Sequence, residues 1–146
     1  MNFEALIVMK RLFAIILGVV AGIAIVFIGD STCKALSPLP KGLDSGNRDE
    51  MRIFIDSIPI YVLVIMTIFW LGSSFLGAML AVKINRVYWK QTALITGGIL
   101  LALALLNLIM TPHPAWMWLA ALMGYLPVAL LGGYLARPKS VPLPWA

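Results

Sequence analysis

A chain of 146 residues that is 62% hydrophobic and only 12% charged, with a mean hydropathy of +0.98, has too little polar surface to face water on every side. Soluble domains are roughly 45–50% apolar and about 25% charged, so lipid must be the main solvent here. The net charge of +5 does not point to nucleic acid, because the cations stand at the ends of apolar runs and not along one face; the single cysteine, Cys33, excludes an intramolecular disulfide.

Four apolar runs reach, or nearly reach, the roughly 20 residues a helix needs to cross about 30 Å of hydrocarbon. They cover residues 12–29, 58–82, 92–110 and 115–136, and none carries Asp, Glu, Lys or Arg in its interior. A single segment in lipid satisfies all its own backbone hydrogen bonds only as a helix, and barrel strands would alternate apolar and polar residues, which these runs do not. The sequence therefore predicts an all-α polytopic membrane protein, residues 1–146 forming one four-helix bundle with an outer loop over 31–57.

In chain order, Lys10-Arg11 precede the first run as in a secretory signal. The stretch Gly29-Asp30-Ser31-Thr32-Cys33 lacks a small-residue cleavage pattern, and Asp30 stands where a lipoprotein signal needs an aliphatic residue, so the run reads as a retained span. The outer loop, with Cys33 as one of its residues, turns at Ser37-Pro38-Leu39-Pro40-Lys41-Gly42. A short helix is expected from Arg48 to Asp56 with Asn47 as its cap, after which Asp56 caps the second span and Pro59 sits in its first turn. The third connection, Thr111-Pro112-His113-Pro114, is a tight hairpin without charge. Pro127 in the fourth span removes one helical hydrogen bond and predicts a kink.

Orientation follows from the cations. Lys10, Arg11, Lys83, Arg86, Lys90, Arg137 and Lys139 fall on one side, against Lys34, Lys41, Arg48 and Arg52 on the other. That bias places both termini in the cytoplasm. Tyr88 and Trp89 suit the cytoplasmic interface, and Trp116 and Trp118 the outer one.

Hydrophobicity alone does not hold helices together in lipid, whereas small residues let backbones approach. The small faces comprise Gly18 and Gly22 in the first span, Ser74, Gly77 and Ala81 in the second, Gly97 in the third, and Gly124 and Gly133 in the fourth. They serve as seams inside one bundle or as faces for a second copy or another membrane protein. Polar residues near membrane depth are costly and often functional. Asn107 is the clearest; Asp30, Asp56 and His113 are expected at the same outer level, as a vestibule for a cation or a proton relay, or as ordinary interfacial groups.

Four helices in a short chain also describe the small multidrug transporters, but their mechanism needs an acidic residue inside the first span, and none stands there. Triad, metal-ligand and phosphate-cradle patterns are absent, so no catalytic, cofactor or metal residue is assigned. Lys10-Arg11 before a glycine-rich first span, Ile58-Pro59 opening the second, the small residues from Gly72 to Ala81, and Pro112-His113-Pro114-Ala115-Trp116-Met117-Trp118 leading into the fourth resemble a loose group of small, uncharacterised bacterial four-span membrane proteins. The resemblance implies a bacterial inner-membrane location and no particular activity. The residues favour a non-enzymatic accessory or structural component acting through helix–helix contacts; the alternative is a small transporter or channel using the polar cluster. The bilayer is the expected partner, together with a second copy or another membrane protein, and nucleic acid is not.

Overall fold

The computed structural model describes residues 3–138, and every regular element in them is a helix: α1 (Phe3–Leu36), α2 (Arg48–Ser57), α3 (Ile60–Ile84), α4 (Trp89–Met110) and α5 (Ala115–Ala136). All but α2 are long and apolar enough to cross a membrane, so the chain is a multi-pass membrane protein built as a four-helix bundle. Lys139, the last cation of the cytoplasmic count, lies outside the described residues.

The first helix is longer than its apolar run. It continues through Asp30 to Leu36 because Ser31 and Thr32 do not break it: their hydroxyls donate to the Phe27 and Ile28 carbonyls at 2.8 Å, one turn back. It stops where Pro38 disfavours the helical conformation at Ser37. Cys33 is therefore not a loop residue; it is a buried helical one, its thiol donating weakly to the Val62 carbonyl at 3.7 Å.

In α2, Asn47 caps as expected, its side-chain oxygen accepting from the Asp49 and Glu50 amides. Glu50 reaches back to accept from the Asn47 side-chain amide and the Asp44 backbone. Asp56 does not cap the next helix. Pro59 forces Ile58 into an extended conformation (φ −69, ψ 131), so the break falls after Ser57 and Asp56 stays inside α2, exposed. Pro59 is itself the N-cap of α3, without a side-chain bond.

Contacts between α1 and α3 run in opposite senses, with Gly18 on Gly77, Gly22 beside Ser73, Gly29 on Phe69 and Cys33 on Val62. The α4–α5 pair is likewise antiparallel, with Gly97 on Ala129 and Gly133 on Ala93. α3 touches α1, α4 and α5; α4 touches α1, α3 and α5; α1 and α5 do not meet.

The small residues account for this arrangement. Gly18 and Gly77 oppose each other so closely that a Cβ on either would lie 2.5 Å or 2.6 Å from the other's carbonyl oxygen, and a Cβ on Gly18 would also crowd Ala81. Gly22 receives Leu100, Gly97 receives Ala129, Gly124 receives the end of Leu71, and Gly133 receives Ala93 and Val82. Ser74 adds an interhelical bond, its hydroxyl donating to the Tyr125 carbonyl at 2.8 Å. Gly132, absent from the predicted set, lies against the Phe75 backbone. Helix α5 runs through Pro127 without interruption, and Pro127 faces outward.

The core divides along the bundle axis. Towards α2 it is bulky, built from Leu63, Trp70, Leu100, Leu108, Met117 and Tyr125. Towards the other end it is made of Ala78, Val82, Ala93, Ala129 and Ala136.

Candidate functional site: a stepped cavity at the α2 end

The site lies at the end of the bundle where α1 and α3 extend furthest. At about 1.5 Å per residue, the 34 residues of α1 and 25 of α3 outrun the 22 each of α4 and α5. The α4–α5 hairpin sits below the start of α3: the His113 ring meets the edge of Trp70, 5.4 Å between centroids, and Trp70 is ten residues along α3 from Ile60. Helix α2 roofs the step, turning Met51, Phe54 and Ile55 inward and leaving Arg52, Ile53 and Asp56 exposed. The Arg48 guanidinium latches it to α4 by donating to the Ile109 carbonyl at 3.0 Å.

Beneath the roof is a cavity of about 200 Å³. Asp30, Cys33 and Lys34 enter it from α1, Asn107 from α4, and Thr111 and His113 from the hairpin; the rest of its wall is largely apolar. Of the four predicted polar residues, Asp30, Asn107 and His113 thus converge, whereas Asp56 points away on the exposed face of α2. A second cavity of about 270 Å³ lies deeper, among Ile23, Trp70, Ser73, Leu100 and Tyr125. Asn107 borders both and so forms the partition between them.

The polar groups here are incompletely satisfied. Asp30 Oδ1 and Trp70 Nε1 are buried without a hydrogen-bond partner among the described residues. A buried acceptor or donor left unpaired carries a cost of about 1–3 kcal/mol, more for a charged group, which a bound donor or acceptor relieves. His113 Nδ1 donates to the Thr111 carbonyl at 3.0 Å, leaving Nε2 as the free ring nitrogen. Burial pushes the His113 pKa below its ordinary 6.5; the Thr111 carbonyl and the negative charge of Asp30 oppose that shift without cancelling it.

Cys33 and His113 share the cavity, yet the thiol is given to Val62 and the imidazole N–H to Thr111, so neither activates the other. Among the described residues no group of three or more His, Cys, Asp or Glu is placed to hold a metal. Sequence reasoning missed Trp70 and Cys33. A tryptophan in the middle of a span, away from either interface, was the available signal for the first; the continuation of α1 past Asp30 was not visible for the second. No family model, curated protein or solved structure matches the chain.

Proposed function

We propose that this membrane protein is a small, non-enzymatic transporter or channel component that admits an amine-bearing solute to the cavity beneath α2. One observation carries the reading: the unpaired, buried carboxylate oxygen of Asp30 lies in a cavity shared with Asn107 and His113, and a second cavity opens below Asn107. A largely apolar wall with one carboxylate suits a small organic cation that has an apolar body. The cation bias puts α2 and the cavity mouth on the outer side of a bacterial inner membrane, with both termini in the cytoplasm; the resemblance to small bacterial four-span proteins supports the same location.

The accessory reading, in which the protein acts through helix–helix contacts with a partner, rests on the small-residue stripes. Those stripes are occupied by one another inside this chain, so the accessory reading takes second place. Cys33 supplies the test because it lines the cavity. In sealed vesicles, short primary alkylamines are expected to slow modification of Cys33 by a small water-soluble thiol reagent, and to lose that effect in Asp30→Asn and Asn107→Leu. Amines without effect on the unaltered chain, or equally protective in Asp30→Asn, would leave the accessory reading in possession.

A further inference from the structure

At the end of the bundle away from α2, an open groove of about 470 Å³ runs along the outer side of the packed α4 and α5. Leu94, Leu130 and Leu131 form its apolar length, Pro127 its deep end, and Trp89, Lys90 and Tyr134 its mouth. Leu131 and Tyr134 are half exposed, on a surface that faces lipid in a membrane-spanning bundle.

Two cations converge at that mouth. The Lys90 ammonium and the Arg137 guanidinium lie 5.7 Å and 5.8 Å from the centre of the same Trp89 ring, and Arg137 stacks on Tyr134 at 3.8 Å. The aromatic faces hold both cations in place without neutralising them. No acidic residue follows Asp56 in the chain, so α3, α4 and α5 bring no carboxylate to this end. The result is a positively charged mouth above an apolar trough, with two amphipathic rings at the boundary, which is complementary to a molecule with an anionic head and a hydrocarbon tail.

We infer that this groove is a binding site for an anionic phospholipid, whose phosphate lies between Lys90 and Arg137 and one of whose acyl chains lies along Leu94, Leu130 and Leu131. The site is separate from the α2-end cavity and does not depend on what that cavity binds. Bound lipid would tie the start of α4 to the end of α5 and so brace that end of the bundle.

The test is thermal unfolding of the detergent-purified protein with added phosphatidylglycerol, phosphatidylcholine or inorganic phosphate. Phosphatidylglycerol is expected to raise the melting temperature, and the other two to leave it unchanged. The Lys90→Gln/Arg137→Gln double variant should weaken the apparent affinity for phosphatidylglycerol by about tenfold or more, because each cation near an anionic headgroup contributes on the order of a few-fold. Lys83→Gln/Arg86→Gln, which alters the same end outside the groove, should not. Leu131→Trp, which fills the trough and keeps both cations, should also weaken it. If a variant does not give a clean melt, the phosphatidylglycerol retained through purification, measured by mass spectrometry, gives the same comparison. Equal stabilisation by phosphatidylcholine, reproduction of the effect by phosphate alone, or an equal loss in Lys83→Gln/Arg86→Gln would overturn the assignment.

Discussion

His113 shows how one residue acquires its properties from the fold. A histidine between two prolines reads as a loop residue at the outer level, but in the fold its ring packs edge-on against Trp70 and is desolvated there. Its folded pKa lies below the ordinary 6.5, so the neutral ring is the form the folded state favours. As pH falls through about 6.5 the unfolded chain takes up a proton that the folded chain resists, and stability is lost; above 6.5 both forms are neutral and His113 contributes no slope. The charged groups facing the ring are Asp30 and Lys34 of α1, and Asp30 offsets part of the loss. Thermal melts between pH 7.5 and 5 should therefore fall, by at most about 1.4 kcal/mol per pH unit for one proton. His113→Gln should flatten that portion of the curve, and parallel curves for the two proteins would show that the ring is hydrated after all.

At the scale of elements, the glycines separate into those that carry a seam and those that do not. Gly18 and Gly77 each face the other's backbone carbonyl, which has no flexible end to move aside. Gly18→Ala or Gly77→Ala should cost about 1–3 kcal/mol, the range for overpacking a close contact. Gly98→Ala meets nothing within 4 Å and should be neutral or stabilising by up to about 1 kcal/mol, since glycine is the poorer helix former. Unfolding by a graded denaturing detergent measures all three, and a loss in Gly98→Ala as large as that in Gly77→Ala would remove the distinction. The seam was legible in the sequence because small residues recur at helical spacing, and Gly18 and Gly77 belong to that pattern along with Gly22, Ser74, Ala81, Gly97, Gly124 and Gly133. Its partners were not legible: nothing local says that Gly97 meets Ala129, or that Gly132 and not only Gly133 is pressed against a neighbour. The bounds of α1 were missed for a related reason. Asp30, Ser31 and Thr32 look like the end of a helix by polarity, while their actual conformation is decided by hydroxyl bonds to the preceding turn and by packing against α3.

For the whole molecule, the decisive asymmetry is between the α2-side half, whose bulky core lines two cavities joined at Asn107, and the other half, whose core is mostly alanine and valine. Asn107, Asp30 and His113 were recognisable as polar groups near the outer level, whereas their convergence on one cavity depends on the packing of α1, α4 and the α4–α5 hairpin, which hydropathy alone does not specify. Asp56 falls inside α2 because the helix break is set by Pro59, three residues further on. A water-accessible path is predicted to enter under α2, pass Asn107 and end at the glycine seams. A ladder of single cysteines down α4 in a Cys33→Ala background, probed in sealed vesicles with a small cationic methanethiosulfonate, tests that path directly. Cysteines at Asn107, Ala104 and Leu100 should react, and one at Thr96, beside the Gly18 seam, should not. Silence at all four positions, or reaction at Thr96 as fast as at Asn107, would contradict the account.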